Sequence, residues 1–282
     1  MKNQFTYLIN NKTTQGMFIL ILFIPCIEIV QLYIMLKPDA VNIHPAFAFF
    51  LAGSSRGHIT QILLLWFLPV LSLLLGADSP IQEYQTGVRN IIINKIGKKA
   101  YILQKLAVSF ILCFITMLTT LLLNFILVSI VFLGGTYKMG LNGLGSLNTL
   151  FDFSIQNPYL ADFGFGFMAC LMAGMAGLIA TSSSLFFLNK KFAYPAAFFI
   201  WFLMILPNNS IMFIFQPFTE YGFEIILPIF LVFSLIVLII VGVLYLYEVK
   251  YVKEYIFSSN FFHVPLFFCF LVHTKHGVPK FP

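Results

Sequence analysis

The chain reads as an all-α integral membrane protein with six spans, and three observations carry that reading. Of its 282 residues, 60% are hydrophobic and only 9% charged, with a mean hydropathy of +0.95, whereas a water-soluble domain carries about 25% charged residues. The apolar residues gather in runs close to the roughly 20 residues that a helix needs to cross a bilayer. The basic residues fall almost entirely on one side of those runs.

Five runs stand out, at 17–36, 59–77, 106–133, 163–188 and 223–247. A sixth, 192–206, is shorter and is interrupted by Pro207, Asn208 and Asn209 before apolar character returns through 211–215. That pattern predicts a broken or re-entrant fifth helix, because a break at membrane depth is tolerated where its backbone faces protein or a water-filled cavity. Placing both termini in the cytoplasm puts thirteen of the sixteen Lys and Arg residues inside and leaves Lys37, Arg56 and Lys138 outside. The first run contains Glu28 and Gln31, is long for a signal peptide and lacks a small-x-small cleavage pattern, so it is expected to be retained as a span.

The net charge of +6 is thus mainly a topology signal, and no basic, aromatic-interleaved polar surface points to nucleic acid. Cys26, Cys113, Cys170 and Cys269 all lie in apolar runs without C-x-x-C spacing, which suggests neither a disulfide framework nor a metal site.

The one long inner connection, 78–104, separates the second and third spans. Within it Ile91, Ile92, Ile93 and Ile96 alternate with Arg89, Asn90, Asn94 and Lys95, the pattern of a short amphipathic helix that Gly97 would end. Glu83 and Tyr84 stand before it, where a carboxylate suits the positive end of a helix dipole. Lys98, Lys99 and Lys105 read individually as charges that set topology. The basic lead-in 1–16, the six spans and the stretch EYQTGVRNIIINKIGKKAYILQKLAVSF together resemble the permease subunit of type-2 ABC exporters. The resemblance implies that Glu83, Tyr84, Gly87, Arg89, Asn90, Ile91 and Ile92 form a coupling helix docking on a cytoplasmic ATP-binding subunit. It also implies a second permease chain, as homodimer or similar heteromer, in the bacterial cell membrane. It covers 1–257, the transmembrane domain; the tail 258–282 departs from the family pattern. No G-x-x-x-x-G-K-[ST] loop is present, so ATP and Mg would be held by the partner and this chain would not itself be catalytic.

Glu28 is the one acid inside a span, with Gln31 on the same helix face, which marks the pair as a translocation-path or dimer-seam candidate. Asp162, Glu220 and Glu224 are expected at outer span ends, in solvent. The fourth span carries small residues at Gly166, Ala169, Cys170, Ala173, Gly174 and Gly177, spaced to let helices approach closely. GSSRG at 53–57 formally matches a nucleophile motif, but it lacks the strand-to-helix context that the chemistry requires. Apolar walls without a charged track disfavour a hydrophilic ion or sugar and suit a lipid, a hydrophobic drug or an amphipathic peptide alike; the resemblance, closest to small peptide-toxin and bacteriocin exporters or immunity systems, implies an amphipathic peptide moved outward. Rich Phe, Ile, Asn and Lys usage suggests an AT-rich bacterial genome. An ion-coupled secondary carrier centred on Glu28 and a non-transporting scaffold or immunity protein are the other two readings.

Overall fold

The apolar runs become helices. A computed structural model describes residues 2–35, 42–53, 58–141 and 146–251. In chain order the helices are α1 (Lys2–Ile9), α2 (Lys12–Met35), the bent pair α3 (Ile59–Trp66) and α4 (Leu68–Ala77), α5 (Ser79–Gln85), α6 (Val88–Ile96), α7 (Lys98–Val131), α8 (Thr149–Gln156), α9 (Pro158–Phe186), α10 (Lys190–Ile205) and α11 (Phe223–Tyr251). Three short 3₁₀ turns, Pro45–Ala48, Phe50–Ala52 and Ile211–Phe215, complete the described fold. Among the described residues there is no strand, only an isolated bridge between Ile43 and Tyr137.

Four helices, α2, α7, α9 and α11, are long and apolar enough to cross a membrane, and the bent pair makes a fifth if it counts as one span. This is the architecture of a membrane-associated helical protein. α7 and α9 form its centre, antiparallel and in close contact, because α9 presents its small residues there. A Cβ on Gly174 would lie 2.6 Å from a ring carbon of Phe110, and one on Gly177 would lie 2.8 Å from Cys113 Sγ and 3.0 Å from the Ser109 carbonyl. Ser109 uses that proximity to donate to the Gly177 carbonyl at 3.0 Å. The small-residue face is therefore a packing surface, as its spacing suggested.

The run expected to be broken does end early. α10 is 16 residues long, about 24 Å at 1.5 Å per residue, and stops before Pro207. Ser210 then caps the 3₁₀ turn Ile211–Phe215, whose Ile211, Ile214 and Phe215 are buried, and donates to the Ile205 carbonyl at 2.7 Å. The run read as a plain second span, however, is the one that bends, by 59° between α3 and α4. Pro69 lacks an N–H and its ring crowds the carbonyl four residues earlier, which is that of Leu65. The buried indole N–H of Trp201 on α10 donates to that carbonyl at 3.0 Å, so the acceptor that Pro69 cannot serve has a partner.

The segment before the bent pair also departs from expectation. It was assigned to an outer loop, yet Ile43 and the whole of 45–51 are buried against α7 and α9. Side chains satisfy its backbone, as burial demands. Asn124 of α7 accepts the Phe50 N–H at 3.1 Å while donating to the Pro25 carbonyl of α2 at 3.2 Å, and Gln61 donates to the Phe50 carbonyl. The connection after α7 closes over it: His44 N–H donates to the Tyr137 carbonyl at 2.9 Å, and at Gly135 a Cβ would overlap the Ile43 carbonyl at 1.9 Å. The tail 258–282, and Ser54, Ser55, Arg56 and Gly57 of the GSSRG motif, lie outside the described residues.

Candidate functional site, a clasped helical hairpin

The inner connection folds into the hairpin α5–α6. α5 starts on a proline in its first turn and closes on Thr86, whose hydroxyl donates to the Gln82 carbonyl at 2.9 Å. Gly87 (φ 74°) reverses the chain and Gly97 (φ 82°) ends α6. Both lie in the positive-φ region that glycine alone enters readily, so the hairpin has its hinge and its exit written at those two positions.

Three polar clasps fasten this hairpin to the ends of α10, α7 and α11. At its base Asp78, 4% exposed, takes Lys190 of α10 at 2.7 Å, and Tyr194 of the same helix donates to it at 3.4 Å. On α5, Glu83 holds Lys105 of α7 at 2.5 Å and accepts the Tyr101 hydroxyl at 2.7 Å, while Lys105 also donates to Ser79 at 3.1 Å. On α6, Arg89 meets Glu248 of α11 at 3.1 Å, with Lys98 3.5 Å from the same carboxylate oxygen. Tyr101 sits between the last two clasps, its ring 5.8 Å from the Arg89 guanidinium carbon and 5.6 Å from Lys105 Nζ. Ion pairs with one partner removed leave a buried charge uncompensated, so each clasp resists being opened singly.

The residues read as a docking set therefore divide in two. Tyr84, Gly87, Asn90 and Ile91 are exposed at the hairpin tip, with Ile91 69%, Tyr84 53% and the neighbouring Val88 40% accessible. Ile92 is half-buried against the cluster of Tyr101, Ile102, Leu106 and Leu185. Glu83 and Arg89 face inward and belong to the clasps, and Glu83 serves Lys105 instead of the α6 dipole. Lys98 and Lys105, read as topology charges, are partners in buried pairs. Sequence reasoning missed Asp78, Tyr101, Lys190 and Glu248 as members of the site. For Asp78, Lys190 and Glu248 the available signal was an acid or a cation at the inner end of an apolar run, too common a pattern to single out these three, and Tyr101 carried none.

No known protein-family model matches the chain, and no solved structure matches it. It is 47% identical over 252 residues to the uncharacterized protein YybM of Bacillus subtilis (strain 168), an alignment covering 89% of this chain and 99% of that protein. The chain belongs to the YybM family.

The other candidate lies deeper in this YybM family member. Glu28, 1% exposed on α2, accepts the Thr60 hydroxyl of α3 at 2.8 Å, and Gln31 is half-buried one turn along. Asp162, expected in solvent, is instead 2% exposed on α9, and neither carboxylate oxygen has a hydrogen-bond partner. Helix α8 and the Pro45–Ala48 turn both pack against α9. Nearby, His44 Nδ1 accepts the Ala46 N–H at 3.3 Å; burial, with the Lys138 charge as a smaller cause, holds its pKa below the usual 6.5. Among the described residues no group of three or more His, Cys, Asp or Glu side chains converges as metal ligands would.

Proposed function

We propose that this protein is the membrane-spanning subunit of an ATP-driven exporter, with the α5–α6 hairpin as the element that receives force from a separate cytoplasmic ATP-binding subunit. The observation that carries the reading is the division of the hairpin: an exposed apolar tip at Tyr84, Val88 and Ile91, and a base clasped to α7, α10 and α11. A partner pushing on the tip would move three helices together, because the ion pairs transmit the displacement through buried contacts. The resemblance to type-2 ABC permeases supports the same assignment. On this reading α10 with its 3₁₀ extension and the bent α3–α4 pair complete six spans. Both termini lie in the cytoplasm, a second permease chain completes the complex, and ATP and Mg sit on the partner. The apolar bundle suits an amphipathic peptide as cargo at the bacterial plasma membrane.

The test is to place a photo-crosslinker at Ile91 in the full-length chain in its native membranes and identify what it captures, with and without Mg–ATP. Capture of a nucleotide-binding protein supports the exporter. Its absence, together with transport that survives ATP depletion, favours an ion-coupled carrier. That second reading has its own support, the two buried acids Glu28 and Asp162 inside spanning helices, since ionisable groups at membrane depth are commonly functional. A chain that neither transports nor binds nucleotide-linked partners would be a scaffold or immunity protein.

A further inference from the structure

Two polar atoms at the hairpin end of the bundle are buried without a hydrogen-bond partner: Gln4 Oε1 on α1 and Thr181 Oγ1 on α9. Gln4 and Thr181 both line one cavity, which also takes in Leu8 of α1, Gly76 of α4, Ser79 of α5 and Lys105 of α7. Its volume is about 10 Å³, close to the smallest space that accommodates a single water.

The chemistry of the walls is specific. A lysine ammonium has three donors. Lys105 gives one to Glu83 and one to Ser79, which leaves one. Thr181 offers a hydroxyl that can donate or accept, and Gln4 offers a carbonyl acceptor. Of the other hydroxyls of the lining, Ser72 donates to the Leu68 carbonyl at 2.8 Å and Ser109 to the Gly177 carbonyl at 3.0 Å, while Ser79 accepts from Lys105 at 3.1 Å. Two donors and one acceptor around a one-water space match a molecule that accepts and donates at once. A free anion does not fit, since the volume is too small and Glu83 already balances the Lys105 charge.

We infer that this cavity is a binding site for one ordered water that bridges Gln4, Thr181 and Lys105, fastening α1 to the lysine that holds the hairpin. α1 is seated for that contact by Leu8, which fills the notch at Gly76; a Cβ there would lie 2.7 Å from Leu8 Cδ2. The lead-in helix thereby joins the clasp network through solvent instead of through a direct bond, whatever the hairpin tip binds.

Opposite signs make the site testable. If the cavity is dry, Gln4 and Thr181 each bury an unsatisfied polar group, and apolar replacement removes a penalty. If a water bridges them, replacement strands its other partners. The purified full-length chain in detergent is compared with Thr181→Val, which keeps the side-chain shape, with Gln4→Leu, and with the double variant. The site predicts a Tm lowered by about 2 °C or more in each single variant, a double loss smaller than the sum, and faster amide exchange in α1 when only Thr181 on α9 is changed. A raised or unchanged Tm, or strictly additive losses, overturns it. Should the variants fail to accumulate, a high-resolution map of the unaltered protein decides: solvent density within hydrogen-bond reach of Lys105 Nζ and Thr181 Oγ1 upholds the site, and none there overturns it.

Discussion

Arg89 on the hairpin and Glu248 on α11 stand 159 positions apart in the chain and meet at 3.1 Å, each side chain only 5% exposed. The pair joins the α5–α6 hairpin to α11, the last of the long helices described. Its energetics are those of a buried salt bridge, in which losing one partner costs more than losing both.

Glu248→Gln, which strands Arg89 and Lys98 together, should therefore destabilise the protein by about 3–5 kcal/mol, and Arg89→Met by less, because Lys98 still faces the carboxylate. The double variant should lose less than the sum, because residues in contact do not add. Thermal or denaturant unfolding in detergent measures all three, and simple additivity would show that the pair does not act as a unit.

Ile91→Asp acts at the tip and not in the clasps. At 69% exposure the substitution should change stability by no more than about 0.5 kcal/mol. Capture of a partner by the hairpin should nevertheless fall sharply. Arg89→Met gives the reverse pattern, with stability lost first, so the two variants separate docking from folding.

Gly177→Ala drives a methyl to 2.8 Å from Cys113 Sγ and 3.0 Å from the Ser109 carbonyl. The helices must part, at a cost of about 1–3 kcal/mol. Cys113→Ala should relieve part of that cost by removing the sulfur, but not all of it, because the carbonyl remains. Full rescue would place the conflict on the side chain alone.

Stability should fall as the solution is acidified through the range where histidine titrates. His44 has its pKa held below 6.5, so the unfolded chain binds this proton more readily than the folded one. Its contribution is complete above about pH 6.5 and is lost as the pH falls through the lowered pKa. Protonation also removes the Nδ1 acceptor that caps the Pro45–Ala48 turn. His44→Asn, which keeps a capping acceptor without titrating, should flatten the Tm profile between about pH 7 and 5; an unchanged profile would assign the dependence elsewhere.

Much of the fold could be read before any coordinates, because the bilayer imposes long apolar helices and each one announces itself by length. The amphipathic turn 88–96, its glycine stop and the α9 small-residue face are local patterns of the same kind. The bend at Pro69 was also written locally, in WFLPV, but its run is apolar throughout and a count of hydrophobic residues passes over it. The buried stretch 45–51 was hidden for a different reason: backbone groups of Phe50 within it are satisfied by Asn124 and Gln61, partners that adjacency in the chain does not reveal.

From the sequence alone come the helical membrane character, the number and placement of the apolar runs and the polar, glycine-bounded stretch between the second and third of them. These depend on composition and on spacings within one helix, where each residue sees its neighbours at i+3 and i+4. Only the tertiary structure decides which charges of that stretch are exposed and which are paired. Glu83 and Arg89 look alike to Tyr84 and Asn90 as polar residues near a membrane surface, and they differ because Lys105 and Glu248 arrive from distant helices. Pairing of that kind is a long-range property, set by how the helices pack, and a charge declares its role only once its partner is in place.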